Sequence, residues 1–500
     1  MKQWILGGVS AAALVAGADA GWSLTAQQAW ENWKTAAESY GQTLSSSGEA
    51  TMDGKLTVSG VTLTADFDEM TATGTIEEVV FSEQSDGSVA ITMSESFPFV
   101  VSGIDEAGDK VNVVVTISQP GMVMSASDAG GATAFSYESP AISVQVDELS
   151  LNDQTVPLDL SATASAVEGA YTLDGTAPGS VESNFGAASA TLDLDMQDPE
   201  GDGTIKVNAT VADIASQTSG RNMDMSMSDD MAQMLAAGFQ SRGSGTYGPV
   251  TFAFDFQDGS ETAMASGSLT GGQAEFGIDA SGMVYDVAYE GLDVTVSGSD
   301  IPLPQITAQA GRSATTFQIP VQPSETASPF AMKMALEDLS VGEEIWSMFD
   351  PGAVLPRDPA TLIVDLAGTG RWLVDIFDET AMMGTELPGE LEDLSLNALK
   401  LAIGGAELTG EGAFTFDNSD TSTFDGVPRP EGKAGFKLVG GNALIDNLAK
   451  MGLIPQDQVM MVRMMTGMFA KPGAGPDELV SEIVIDGSGK LLINGAPMPF

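Results

Sequence analysis

From about residue 48 to 220 apolar side chains recur at every second position, a period that only an extended strand with one buried face can use. Leu56 and Val58, then Val61, Leu63, Ala65 and Phe67, alternate with Thr, Ser and Asp. Val89, Ile91 and Met93 repeat the pattern, as do Ile142, Val144 and Val146. Leu192, Leu194 and Met196 are followed by Ile205, Val207, Ala209 and Val211. Between the runs stand Asp53-Gly54, Asp86-Gly87, Gly130-Gly131, Asp174-Gly175 and Gly201-Asp202-Gly203. Such residues accept the positive φ angles of tight hairpins at little cost. The pattern predicts antiparallel hairpins, apolar on one face and polar on the other. Strand patterns resume over 250–256, continue past Val296, and return over 361–366, 394–403 and 412–416.

Helices punctuate the strands. Thr25 and Gln28 form a capping-box pair, Trp30, Trp33, Ala37 and Tyr40 share one helical face, and Gly41 stands where the helix would stop. Two indoles on one stripe suit a membrane-interface anchor or packing on a sheet; packing is expected. A second helix is predicted over 229–240, with Met231, Met234, Leu235 and Phe239 on one face, and a helical turn over 343–349. Asn442 is placed as the cap of a helix carrying Leu444, Ile445, Leu448 and Met451, ended by Gly452. Pro455 opens another with Val459, Val462, Met465 and Phe469, closed by Lys471-Pro472-Gly473. These two form a helical hairpin expected to lie across the sheet.

The predicted fold is therefore mainly β with a few helices (α+β). It is a long curved antiparallel β-meander with one N-terminal helix, one mid-chain helix and a C-terminal helical hairpin. Residues 21–300 are taken as an N-terminal β-rich half with its start helix, 301–329 as a proline-rich connection, and 330–500 as a C-terminal β-rich half. Leu336-Glu337-Asp338-Leu339 nearly repeats as Leu391-Glu392-Asp393-Leu394, with Asp147-Glu148-Leu149 a looser copy; equivalent strand starts would explain the echo.

Residues 1–20 read as a signal peptide: Lys2 is the positive end, residues 4–15 are apolar, and Ala18-Asp19-Ala20 is a small-x-small cleavage site. The protein is thus expected to be exported. No later stretch reaches about 18 uninterrupted apolar residues, so no transmembrane helix is predicted. The chain has no cysteine, hence no disulfides, and its core alone must hold it.

It also has no histidine, which removes imidazole base catalysis together with thiolate nucleophiles and His or Cys metal ligation. With 19 Lys+Arg against 70 Asp+Glu the net charge is −51. So acidic a chain repels phosphate backbones, and nucleic acid is excluded as a partner. Bare anionic headgroups are disfavoured unless Mg²⁺ or Ca²⁺ bridges them, and divalent cations on the acidic surface are expected only as adventitious company.

Candidate chemistry is sparse. Asp198, Glu200 and Asp202 occupy positions 1, 3 and 5 of a calcium-type loop with Gly203 at 6, but position 12 is Ala209 where a bidentate Glu belongs; a solvated hairpin turn is expected. Met223, Met225 and Met227, leading into Met231 and Met234, have a spacing that suits Cu(I). Methionine on a strand or helix stripe is more simply core filler, as is expected also for Met460, Met461, Met464, Met465 and Met468, with a flexible Met-rich surface that holds apolar ligands or partners as the second reading. Gly487-Ser488-Gly489-Lys490 is no phosphate loop, because Val484 and Leu491 stand where Gly and Ser/Thr are needed. No catalytic residue and no cofactor is assigned.

The run Ile345-Trp346-Ser347-Met348-Phe349-Asp350-Pro351, then Leu355-Pro356-Arg357-Asp358-Pro359-Ala360, resembles the bacterial domain of unknown function family 2125. Ala237-Gly238-Phe239 and the closing Gly489-Lys490-Leu491-Leu492-Ile493-Asn494-Gly495 resemble it too. The resemblance implies a Gram-negative envelope protein, periplasmic or outer-envelope-associated, and no known activity. More distantly, a long β-meander with a start helix is similar to envelope proteins with lipid-holding β-grooves. The expected function is non-enzymatic: holding lipid-like ligands or an envelope protein partner on an apolar sheet face. An outer-membrane β-barrel and a carboxylate-dependent polysaccharide hydrolase are the alternatives.

Overall fold

In the computed structural model strand takes 64% of the described residues and helix 12%, so the fold is mainly β with a few helices. The structure describes residues 24–498 apart from 40, 68, 106, 174–178, 199–200, 224–229 and 385–386. The expected leader at 1–20 and Tyr40 of the first helical stripe lie outside the described residues. Two compact units emerge: residues 1–273 with 296–302, and residues 274–295 with 303–500.

Unit 1 opens with α1 (Ala26–Ser39), whose capping box forms as expected: the Thr25 N–H donates to Gln28 Oε1 and the Gln28 N–H to Thr25 Oγ1. Then follow β1 (Gln42–Ser45), β2 (Gly48–Met52), β3 (Lys55–Phe67), β4 (Met70–Glu83), β5 (Val89–Met93), β6 (Ser96–Ile104), β7 (Lys110–Ser118) and β8 (Val123–Ala129). The longest strands are β9 (Ala132–Leu151), β11 (Leu158–Leu173), β12 (Gly179–Gln197) and β13 (Thr204–Met223), with the short β10 (Gln154–Thr155) between β9 and β11. After α2 (Met231–Ala236) come β14 (Gln240–Tyr247), β15 (Val250–Asp258) and β16 (Glu261–Leu269). The predicted second helix is thus shorter than 229–240, capped by the Asp230 carboxylate accepting the Gln233 N–H.

One register row divides this sheet. The β3–β4 ladder skips at Gly60, β9–β11 at Pro140 and Ala166, and β12–β13 at Ala188 and Asp213. Gly60, Ala166 and Asp213 take φ of 57°, 46° and 51°, left-handed values that interrupt the alternation of an extended strand. Long strands change partners there: β4 pairs with β6 on one side and β5 on the other, β9 with β7 and then β8, β13 with β15 and then β14. The apolar positions change parity at the same row. In β11 they are Leu158, Leu160, Ala162 and Ala164 before it, and Val167, Tyr171 and Leu173 after it. A left-handed residue cancels one step of the alternation, which keeps the oily side chains on a common side.

The two halves differ in cover. On the half holding β5, β8 and the start of β9, α1 packs its apolar stripe onto Leu56, Val58, Val79, Phe81, Val89, Ile91, Met124, Ala126 and Phe135. Trp30 is fully buried against Phe81, at 5.9 Å between ring centroids, and its indole N–H donates to Glu49 Oε1 at 2.8 Å. Trp33 meets Phe81 edge-on. Both indoles therefore pack on the sheet, as expected.

Residues of both units lie on β17 (Gly271–Asp279) and β18 (Gly282–Gly298). Unit 2 continues with β19 (Ile306–Ile319), an uninterrupted strand inside the proline-rich 301–329 stretch, β20 (Ser328–Val341), α3 (Glu343–Phe349), β21 (Ala360–Trp372) and α4 (Glu379–Gly384). Next are β22 (Gly389–Ile403), β23 (Ala406–Asp417), β24 (Arg429–Val439), α5 (Gly441–Lys450), α6 (Gln456–Phe469), β25 (Lys471–Pro472), β26 (Glu478–Ile485), β27 (Leu491–Ile493) and β28 (Ala496–Pro497). Consecutive long strands from β19 to β24 pair antiparallel, and β26 adds to β24.

Two sequence expectations change here. The Glu-Asp echo does not mark strand starts: its copies fall at the end of β20, the start of β22 and late in β9. Each lies where a ladder slips, at Leu336/Leu339, at Glu392 opposite Thr369/Gly370, and at Asp147 opposite Val114/Val115. Asp338, at φ 56°, shows why: a short acidic residue tolerates the left-handed turn that a bulge needs. Nor does Asn442 cap α5. The Asp477 carboxylate accepts the N–H groups of Asn442 and Ala443, and the Asn442 side-chain amide as well.

Candidate functional site

Beyond the dividing row of unit 1 the sheet keeps an apolar face without α1. A single register row runs Phe99, Val115, Val146, Leu160, Leu194, Val207, Phe254 across β6, β7, β9, β11, β12, β13 and β15. At about 4.8 Å per strand it extends roughly 29 Å. The next row, Phe97, Ile117, Val144, Ala162, Leu192, Ala209, Phe252, runs beside it. Val144 is 36% and Leu192 38% exposed, against 0% for Leu56, Val58, Val79 and Phe81 under α1. The contrast is one of cover, since both sets are aliphatic or aromatic residues on long antiparallel strands.

The reverse face is polar and closed by cross-strand pairs. Lys206 Nζ meets Asp195 Oδ2 at 2.7 Å, and the Asn208 amide donates to Asp193 at 2.7 Å. The Asp195 hydrogen bond and charge push the Lys206 pKa upward. Gln145 donates to Asp159 and Thr116 to Asp147. These pairs satisfy charges and amides, leaving the opposite face as the unsatisfied one.

Unit 2 repeats the theme. Leu336, Leu362, Leu401, Leu408, Leu438 and Leu479 form one row across six strands, with Leu362 and Leu401 each 40% exposed.

A concavity of about 660 Å³ with a mixed polar and apolar lining follows the dividing row of unit 1, lined by Glu168, Asn184, Phe185, Asp213, Ile214 and Gln217 among others. It has room for a small polar molecule, and Asn184 Oδ1 there is buried without a hydrogen bond. Its Glu168 and Asp213 carboxylates are exposed to solvent.

The residues that carried the family resemblance build a structural clasp. Asp350, 1% exposed, accepts the Val354 and Leu355 N–H groups, each at 2.9 Å, and Arg357 Nη1 at 2.6 Å. Burial works against its charge, but these donors and the guanidinium outweigh it and hold the carboxyl below the ordinary aspartate range. Arg357 also covers the Trp346 ring at 4.2 Å. The Asp350 carboxylate and the Arg357 guanidinium are thus spent on closing the α3–β21 connection.

Of the cation candidates, Asp198 and Asp202 sit on the β12–β13 hairpin, where the Asp198 N–H donates to the Gly203 carbonyl at 2.8 Å; Glu200 lies outside the described residues. Among the described residues no cluster of three or more carboxylates could hold a metal ion. Met223 ends β13, while Met225 and Met227 lie outside the described residues. Met234 is buried, as a core filler should be, but the α6 methionines are not: Met460 is 74% and Met464 64% exposed. That overturns the packing expected for the last helix. No described helix is long and apolar enough to cross a membrane.

A large, mainly antiparallel sheet with oily rows is the setting for the comparison with known proteins. Residues 236–498, more than half of the chain, match a family described as uncharacterized protein conserved in bacteria, DUF2125. The chain belongs to that family. No curated protein matches it.

Sequence reasoning missed three things: α4, the Asp477 cap and the dividing row. The last had a signal, the slip from even to odd apolar positions between Val58 and Val61.

Proposed function

We propose that this protein is an exported, non-enzymatic envelope protein that holds the acyl chains of lipid-like ligands on the open apolar face of unit 1. The supporting observation is the Phe99-to-Phe254 row, about 29 Å of continuous oily surface left uncovered by α1, while polar side chains of the reverse face pair across strands. A row of aliphatic and aromatic side chains selects for length and apolarity and carries no group to select a headgroup. Export rests on the residues 1–20 signal pattern.

Purification from its native envelope followed by solvent extraction and mass spectrometry tests the reading. Near-stoichiometric lipid is expected, and loss of it in the double variant Leu194→Asp/Val207→Asp. Both side chains lie on the open half, so the variant's melting should stay close to that of the parent. A ligand-free parent, or lipid retained by the folded double variant, would refute it.

A further inference from the structure

The last helix carries sulfur where an apolar face alone would not need it. Five of the 14 residues of α6 are methionine (Met460, Met461, Met464, Met465 and Met468), against 26 in the whole 500-residue chain. Leucine has a similar helix propensity and a similar gain on burial, so apolarity does not account for the choice. Nor does packing, since Met461, Met464, Met465 and Met468 are each 54–64% exposed.

The spacing is that of a ligand set. On a helical projection these four fall within about 100° of one another. Met464 and Met465 each stand three or four positions from both Met461 and Met468, so the four make a diamond whose neighbouring Cβ atoms are ~5–6 Å apart. Flexible side chains let each thioether turn toward the middle. Met464 and Met465, with either Met461 or Met468, can then set three sulfurs around one ion. The helix that presents them is held in place. Arg463 Nη2 meets Asp446 of α5 at 2.6 Å, and the Phe469 carbonyl accepts Ser481 Oγ at 2.5 Å and the Asn494 amide at 3.0 Å. Ligands on a fixed helix have less freedom to lose on binding.

We propose that α6 is a Cu(I)-binding site, one ion being held by Met464 and Met465 with Met461 or Met468 as the third sulfur. Thioether sulfur is neutral and soft, which suits Cu(I) and does not suit Mg²⁺ or Ca²⁺. With no cysteine and no histidine, methionine is the soft ligand this chain has to offer. Of the two charged residues of α6, Arg463 is engaged by Asp446, and Asp457, one turn before Met461, falls on the methionine face in the same projection. A cation on that face therefore meets a carboxylate and no opposing charge from the helix itself. The site uses no residue of the unit 1 face.

The test is anaerobic titration of the full chain with Cu(I), kept reduced by ascorbate, against a chromophoric Cu(I) chelator. A large excess of Mg²⁺ is present to occupy carboxylate sites. One Cu(I) per chain is expected, with an X-ray absorption spectrum that shows a sulfur shell. Met464→Leu/Met465→Leu keeps the helix and its oily arc but removes both shared sulfurs, and its affinity should fall about tenfold or more. Met461→Leu and Met468→Leu each leave one triplet intact and should lose less. All these variants should melt like the parent, since the altered side chains are exposed. Met223→Leu/Met225→Leu/Met227→Leu should bind like the parent. So should Leu194→Asp/Val207→Asp, which lets this proposal and the proposed function fail separately. Four results would overturn it: no Cu(I) retained by the parent, a shell of oxygen alone, undiminished affinity in the folded Met464→Leu/Met465→Leu variant, or loss of the ion in Met223→Leu/Met225→Leu/Met227→Leu with α6 intact.

Discussion

The two halves of the unit 1 sheet are built from the same strands and the same residue types, yet one is sealed and the other open. β9, β11, β12 and β13 run through both. The sealed half spends Trp30, Trp33 and Phe81 on a small aromatic cluster under α1. The open half spends Phe99, Leu160, Leu194 and Phe254 on a half-buried row that no described helix of unit 1 seals as α1 does. Burial is what turns an oily side chain into stability, so the halves should respond differently to the same kind of damage.

The largest expected difference is between Trp30→Ala and Leu194→Ala. Removing the buried indole should cost about 3–5 kcal/mol, because the cavity lies between a helix and a twisted sheet and cannot collapse. Trimming half-exposed Leu194 should cost about 1 kcal/mol or less. Denaturant unfolding of the two variants decides this; equal losses would mean that the open row is covered in solution.

Gly169→Ala comes next. Tyr137 lies flat over Gly169 across the β9–β11 ladder, and an added Cβ would fall inside its ring. Displacing an aromatic ring from a packed face should cost about 1–3 kcal/mol. A neutral effect would show that Tyr137 is free to swing away and that the seal is loose there.

The same tyrosine supplies a pH probe of the seal. Burial pushes its phenol up from 10 to about 12. Between those values the unfolded chain sheds the proton while the folded one keeps it, so Tyr137 leaves stability untouched below pH 10 and lowers it as pH rises toward 12. Tyr137→Phe should therefore resist alkaline unfolding better than the parent while matching its pH dependence below pH 10. Parallel curves through the alkaline range would place the phenol in water.

Much of this architecture could be read from the residues. Period-two runs name the strands, Thr25 and Gln28 name the start of α1, and the 343–349 turn forms as α3. What could not be read depends on long-range company. Leu194 and Val79 look alike in a sequence, and only the placement of α1 decides which is covered. Asp477 caps a helix 35 residues earlier, beyond any local pattern. The methionines of α6 have the spacing of a core stripe, but no described element supplies the other wall.

The smallest effect tests the dividing row itself. Asp213 sits in a strand at φ 51°, a conformation that costs an ordinary L-residue roughly 1–2 kcal/mol and aspartate somewhat less. Glycine removes that cost but adds freedom to the unfolded chain, a loss of about 0.5–1 kcal/mol. Asp213→Gly should thus be neutral or stabilise by a few tenths of a kcal/mol in urea unfolding. Ala209→Gly, four residues away in the extended part of the same strand, meets only the loss. If both substitutions destabilise equally, the left-handed turn at 213 is not what separates the halves. If only Ala209→Gly does, the row is a built hinge in the alternation, and it is there that the chain exchanges a sealed face for an open one.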